Sequence, residues 1–346
     1  MLLGLLLGTA IWFGGGWMGA PRDARILFLA LLYVAILGIQ VGFPEYHPLR
    51  VATGGSAALW LVLGGFLLLF LSYRRVILAL KGRAVAKQEA SAPLPEAFSE
   101  TELNRYARHI VLREIGGAGQ KALKDARVLV VGAGGLGAPA LQYLGAAGVG
   151  TIGIIDDDHV ENANLQRQVI HTDEAIGMPK VFSAQARIEA QNPYVTVRPY
   201  RRRLTQEIAA DLIEEYDLVL DGSDNFETRY LVNATCVAAR KPLVFGALSQ
   251  WEGQVSVFDV ARGTPCYQCV FPHAPPPHLA PNCAEAGVFG PLPGVVGSMM
   301  AVEAIKVLTG AGKPAYGQML IYDALYGESR SIAIERRADC PICGTG

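Results

Sequence analysis

Residues 127–168 read RVLVVGAGGLGAPALQYLGAAGVGTIGIIDDDHVENANLQRQ. The apolar run Val128 to Val131 stops at Gly132, as a buried parallel strand does. The turn Gly132-Ala133-Gly134-Gly135-Leu136-Gly137 comes next, then a helical pattern through Leu141, Leu144 and Ala147. A second apolar strand, Thr151 to Ile155, ends on Asp156. This is a βαβ unit with a glycine-rich turn after its first strand and an acid after its second. Glycines let a backbone approach a phosphate or sugar, and a helix N-terminus directs N–H donors there. A carboxylate at the second strand end can hold a ribose hydroxyl. The unit predicts a nucleotide, and taken alone it fits NAD or FAD first.

The residues beyond the second strand point to a triphosphate. Asn164-Leu165-Gln166-Arg167-Gln168 lies in one turn-rich segment, and Lys180 comes soon after. A nicotinamide enzyme binds a pyrophosphate and needs few cations. A triphosphate carries about twice the negative charge, and its transfer needs Arg, Lys or a metal on the developing charge. A further buried strand, Leu218 to Leu220, runs into Asp221-Gly222-Ser223-Asp224-Asn225. A carboxylate at that strand's end, Asp224, suits Mg²⁺ with its preference for hard oxygen ligands. Asp221 is expected to brace the turn.

The ordered runs RYARHIVLREIG (105–116), GAGGLG, NLQRQ, GMPK and DGSDN resemble the MoeB/ThiF/HesA branch of the E1-like adenylyltransferases. The resemblance covers about residues 100–346. It implies an α/β fold: a Rossmann-like, mixed and mainly parallel sheet of the E1-like/ThiF type. It implies that Gly132, Gly134, Gly135, Gly137, Asp156, Asn164, Leu165, Gln166, Arg167, Lys180, Asp224 and Asn225 bind ATP. It also implies that Arg108 reaches the phosphates of a neighbouring subunit, hence a homodimer. One departure is His109, where the family commonly has Gln. Read from spacing alone, Arg105 and Arg108 simply share a helix face.

Two CxxC pairs, Cys266/Cys269 and Cys340/Cys343, supply four of the six cysteines. A Cys₄ set is the closed tetrahedral pattern of structural Zn²⁺, here pinning the chain terminus to the β-rich second half. Cys236 is expected to be an inert core thiol. Cys283 sits unpaired in a long proline-rich stretch. In the family the matching cysteine lies on a crossover loop near the adenylate, and in some members it bonds covalently to the carrier.

Charge patterning divides the chain. No charged residue precedes Arg22, none falls between Arg25 and Glu45, and none between Arg50 and Arg74. Each gap approaches the ~20 apolar residues that cross a bilayer. Three transmembrane helices are predicted, near 2–20, 26–43 and 52–73, with the first able to lie at the interface instead. Arg22, Arg25 and the cluster Arg74, Arg75, Lys81, Arg83 and Lys87 place the C-terminal domain in the cytoplasm by the positive-inside rule. The expected layout is a membrane region at 1–80, a linker at 81–98 and the adenylyltransferase domain at 99–346. Ser99 is expected to cap its first helix. A net charge of −1 gives no case for nucleic acid as a partner.

The expected reaction is adenylation of the C-terminal Gly-Gly carboxylate of a small ubiquitin-like sulfur carrier by Mg·ATP. Arg201-Arg202-Arg203 reads as a solvated face, or as an attractor for an acidic carrier. The chain stops at Gly346 without a rhodanese-like segment, so sulfur is expected from a separate donor. The closing CPICG resembles MoeB and favours molybdopterin biosynthesis. A thiamine-type carrier is the alternative. An NAD(P) oxidoreductase and a membrane-tethered scaffold without catalysis are the readings from other classes.

Overall fold

A computed structural model describes residues 2–54, 56–89, 98–276 and 286–344. Two compact units are present, Met1–Ser91 and Ala92–Gly346.

In the first unit the apolar runs form helices α1 (Leu2–Trp17), α2 (Arg22–Gly42) and α4 (Ala57–Glu89), with a short α3 (Pro48–Ala52) before the last. α1 ends where Gly19 turns to φ 75°. Its 16 residues span about 24 Å at the helical rise per residue, short of the ~30 Å hydrocarbon thickness. So α1 is shorter than the predicted 2–20 span. The third run also starts later than expected, because Pro48 at N1 diverts residues 48–52 into α3. The Gln40 amide, 1% exposed, donates to Thr53 Oγ1 (2.8 Å), and Trp60 Nε1 donates to the Thr53 carbonyl (2.9 Å). These bonds join α2, α3 and α4. Large apolar side chains nevertheless face outward: Phe66 and Leu69 are each 69% exposed.

α4 continues to Glu89, well into the predicted linker. The reason is local. No proline occurs between Pro48 and Pro93, and Ala84-Val-Ala-Lys-Gln-Glu89 is rich in strong helix formers.

In the second unit, Ser99 caps α5 (Glu100–Ile110). Its hydroxyl accepts from the Glu102 N–H, and Glu102 reaches back to the Ser99 N–H at 2.8 Å. This capping box satisfies two amides that the helix leaves unpaired. Next come α6 (Gly116–Asp125), β1 (Arg127–Val131), α7 (Gly137–Ala147) and β2 (Thr151–Ile155). After them are α8 (Lys180–Gln191), β3 (Thr196–Tyr200), α9 (Gln206–Glu214), β4 (Leu218–Asp221) and α10 (Phe226–Ala238). β5 (Leu243–Leu248) and β6 (Glu252–Phe258) lead to a helix at Pro291–Thr309, then β7 (Gln318–Asp323) and β8 (Glu328–Ala333).

Among the described residues, eight strands form one sheet in the order β3-β2-β1-β4-β5-β6-β7-β8. The first five are mutually parallel and the last three pair antiparallel. This is the mixed, mainly parallel sheet expected. β1 is buried on both faces. Val128 and Val130 join the core under α7, α8 and the Pro291–Thr309 helix, while Leu129 and Val131 face α9 and α10. That two-sided burial explains why β1 reads as unbroken apolar residues. The Pro291–Thr309 helix is long and apolar enough for a bilayer, yet Leu292, Val296, Met300 and Ala304 are buried against the sheet, so it is a core helix.

Candidate active site

β1 has β2 on one side and β4 on the other, so the chain reverses its winding between β1 and β4. The carboxyl ends of strands at such a point open a crevice. Here it is an open cleft of about 420 Å³. Gly132, Gly134 and Gly135 line it from the β1–α7 turn, Asp156 from the end of β2, and Ser223, Asp224 and Asn225 from the end of β4. Two glycines are sterically required. Gly132 has φ 91° and its hydrogen faces the Gly222 carbonyl, where a Cβ would sit 3.1 Å away. A Cβ on Gly137 would lie 1.9 Å from the Gly132 oxygen.

The Asp156 carboxylate organises the turn. One oxygen accepts the Ala133 N–H (2.7 Å) and the other the Asp158 N–H (2.8 Å). Burial pushes its pKa up, while the Lys180 ammonium and these two amides pull it down. Lys180, the first residue of α8, is only 6% exposed and its Nζ lies 2.8 Å from Asp158 Oδ2. Arg167 lines the same cleft and donates to the Ala163 carbonyl (2.9 Å).

Opposite them, Asp221 is buried at the β4 end. Burial raises its pKa, and Arg229 opposes that shift. Asp221 Oδ1 accepts the Ser223 N–H, and Arg229 Nη2 donates to the Ser223 carbonyl (3.0 Å). Ser223 is therefore clamped through both of its backbone groups, just before Asp224. Asn225 caps α10 by accepting the Thr228 N–H (2.9 Å). Asp224 is left exposed on the cleft wall.

Residues 106–342 match the family model described as the ThiF family. The chain belongs to the ThiF family. It is 54% identical over 251 residues to the sulfur carrier protein adenylyltransferase of Thermus thermophilus, covering 71% of this chain and 93% of that one. It is 48% identical over 250 residues to the SAMP-activating enzyme E1 of Haloferax volcanii, covering 72% and 92%. E. coli MccB, solved with MccA-N7isoASN, shares the fold at a TM-score of 0.62 and 22% identity, covering 73% of this chain and 77% of that one. The ThiF domain is thus an adenylyltransferase.

Of the residues predicted from sequence, the ThiF domain brings Gly132, Gly134, Gly135, Asp156, Arg167, Lys180, Asp224 and Asn225 to one cleft. Gly137, Asn164, Leu165 and Gln166 do not line it. Gly137 packs under the turn, and Asn164 Oδ1 is used on the Glu161 N–H (3.1 Å), closing a tight helical turn. These residues shape the wall without facing the cleft. Arg108 is exposed on α5 and lies outside the cleft of its own chain. Cys283 falls outside the described residues.

Sequence reasoning missed three cations at the cleft: Arg202, Arg203 and Arg229. Two arginines of the run, Arg202 and Arg203, thus border the cleft, while Arg201 does not. A signal existed, because the run comes directly after β3, and the carboxyl ends of parallel strands open on the ligand side of the sheet.

The four CxxC thiols are buried together, with sulfur separations of 3.9 Å (Cys266–Cys269), 3.6 Å (Cys266–Cys340) and 3.3 Å (Cys269–Cys343). A tetrahedral zinc thiolate site needs about 3.8 Å between sulfurs. The residues fit such an ion. Burial raises the thiol pKa values of Cys266 and Cys269, whereas at Cys340 burial is outweighed by hydrogen bonds to backbone N–H groups and to the neighbouring thiols, which lower its pKa to about 7. Cys236 is buried on α10, and burial raises its thiol pKa, in keeping with a core thiol.

Proposed function

We propose that the ThiF domain adenylates the C-terminal Gly-Gly carboxylate of a small ubiquitin-like sulfur carrier, with ATP as the nucleotide. The observation that carries the reading is the charge of the cleft. Five cations (Arg167, Lys180, Arg202, Arg203 and Arg229) surround one space that they share with the carboxylates Asp156, Asp157, Asp158 and Asp224. So many cationic donors, with Asp224 left for a metal ion, suit a triphosphate better than the single pyrophosphate of a dinucleotide.

A carboxylate oxygen of the carrier attacks the α-phosphorus, the bond to the bridging oxygen breaks, and pyrophosphate leaves with its negative charge. The product is the acyl-adenylate. No general base is required, because a terminal carboxylate is ionised at pH 7. Asp156 would hold the ribose, and Lys180 and Arg167 would balance phosphate charge. Asp224 is free to hold Mg²⁺, whose role is to neutralise phosphate oxygens. A separate sulfur donor then displaces AMP, directly or through Cys283. We favour a molybdopterin carrier over a thiamine carrier on the closing CPICG.

The test is ATP–pyrophosphate exchange with each carrier in turn, on wild type and Asp224→Ala. Exchange should need a carrier and should fall about a hundred-fold or more in the variant. Carrier-independent exchange, or exchange undiminished by the mutation, removes the mechanism. A homodimer sharing Arg108 across subunits predicts more. Mixing inactive Arg108→Ala and Asp224→Ala chains should restore part of the activity, and no recovery removes the shared site.

We also propose that the first unit lies in the cytoplasmic membrane, with α2 and Ala57–Leu78 of α4 crossing it and the ThiF domain in the cytoplasm. The exposed apolar faces of these helices support this, since such surface needs cover. Arg74 and Arg75 lie at the end of the span, as cytoplasmic flanks do. The chain should stay in the membrane pellet through an alkaline carbonate wash, and protease outside spheroplasts should leave the ThiF domain intact. Release by the wash or digestion from outside would each refute the topology.

A further inference from the structure

The Ala133 peptide groups are held by two side chains from different elements. Asp156 takes the N–H. His171 takes the carbonyl: its Nε2 lies 3.0 Å from Ala133 O, and its Nδ1 lies 2.9 Å from Ser183 Oγ. A carbonyl can only accept, so Nε2 carries the proton and Nδ1 accepts from the Ser183 hydroxyl. The imidazole is 6% exposed. Burial lowers its pKa, and nearby Lys180 lowers it further, against the opposing bond to Ala133. These influences favour the neutral ring.

This placement links the three elements that make the phosphate side of the cleft. His171 comes just after the Arg167-bearing segment, its N–H bonding to the Gln168 carbonyl at 3.1 Å. Ser183 lies on α8, one turn beyond Lys180. Ala133 lies in the glycine turn. The peptide between Ala133 and Gly134 is trans, as is every described peptide bond. Its C=O and N–H therefore point in opposite directions. With the carbonyl drawn inward by His171, the Gly134 N–H is turned outward, on a residue that lines the cleft. Among the described residues no acceptor is found for that N–H.

We infer that His171 is a positioning residue for nucleotide binding: it holds the Ala133 carbonyl so that the Gly134 N–H is presented to phosphate. The inference rests on the adenylation reading and adds a residue that never touches the nucleotide. Asp156, Lys180, Asp158 and Ser183 are polar groups near the ring's partners, and the Gln168 amide nitrogen lies beside Gly134; among the described residues only His171 is bonded to the Ala133 carbonyl. Asp156 and Asp158 accept only. Lys180 is engaged with Asp158, and Ser183 approaches the other ring nitrogen.

The test measures ATP binding to the full chain in detergent without carrier, then ATP KM and carrier KM in the exchange assay. His171→Phe should weaken ATP about ten-fold by leaving a buried acceptor unpaired and free to turn, with carrier KM unchanged. His171→Gln, whose amide can still donate to Ala133, should recover most of the loss. Ser183→Ala should give a smaller loss, since it frees the ring without removing the donor. Should His171→Phe fail to fold, the Gln and Ala variants decide alone. ATP affinity at the wild-type level in His171→Phe overturns the assignment, as does a Gln variant that folds normally yet binds as poorly as Phe. Wild-type protein that binds no ATP would instead sink the adenylation reading itself.

Discussion

Replacing Lys180 with alanine is expected to slow ATP–pyrophosphate exchange by about two to three orders of magnitude, with a melting temperature close to that of wild type. The two halves of this expectation come from the same geometry. The Lys180 ammonium is enclosed, but its partner Asp158 has a side chain 66% exposed. Removing one member of a buried pair is costly when the survivor stays buried and uncompensated. Asp158 can turn to water instead. The fold loses little, while a triphosphate entering the cleft loses a cation from a low-dielectric wall.

The acid limb of the pH profile should move as well. Burial raises the Asp156 pKa and Lys180 is the largest influence lowering it. Without Lys180 the folded-state pKa rises further, so the carboxylate needed for the ribose and for the Ala133 N–H is lost at a higher pH as acidity increases. Residual exchange in Lys180→Ala should therefore fall off at higher pH than in wild type. Near-normal exchange in the variant would show that the ammonium serves the fold and leaves the nucleotide alone.

How far this site could be read in advance depends on where each residue's constraint lies. The glycine turn, Asp156, Lys180 and Asp224 were legible because strand ends and short ordered motifs fix them: β1, β2 and β4 are apolar runs that stop abruptly, and the next residue is at the ligand edge. The Ser99 capping box was legible because its two partners are three residues apart. Arg229 gave no such signal. It sits in the first turns of α10, where an arginine usually faces water, and only the packing of Phe226 and Phe245 within 5.3 and 5.5 Å brings its guanidinium back to the Ser223 carbonyl. His171 was equally hidden, because its partners are 38 and 12 residues away. Asn164 and Gln166 lie off the cleft wall for the opposite reason: a motif names every position in its run, whereas a tight turn can show only some of them to the cleft. The β5–β6 hairpin went unread because Leu243–Leu248 and Glu252–Phe258 are joined by Ser249-Gln250-Trp251, which lacks the Asn-Gly or Asp-Gly signature.

Stripping the proposed zinc with a strong chelator, or changing Cys340 to serine, is expected to lower the melting temperature on the order of ten degrees and to release the chain's last segment. β8 is exposed along its whole length, so it contributes little burial of its own. Beyond it, residues 334–344 are held to the rest of the domain by few contacts: the Ile334 N–H to the Gly317 carbonyl, the Arg337 N–H to Cys269 Sγ at 3.5 Å, and the Cys340 and Cys343 thiols against Cys266 and Cys269. Two of these three depend on the cysteine cluster itself. An ion binding four thiolates there would gather Cys266 and Cys269, which lie on either side of the Tyr267 core ring in sequence, with the chain terminus. Without it, four thiols stay crowded together in a small apolar pocket formed with Val237, Val260 and Ile342. Trypsin should then cut after Arg336 or Arg337, and readdition of zinc should restore resistance. Because Tyr267 packs on Phe245 in β5 at 4.9 Å, loosening the cluster should reach the sheet and lower stability beyond the tail. The cleft is built from other strand ends, so chelated protein held below its lowered melting temperature should keep its ATP affinity. Equal melting temperatures with and without chelator, together with an unchanged tryptic pattern, would mean that the four thiols hold the terminus without a metal.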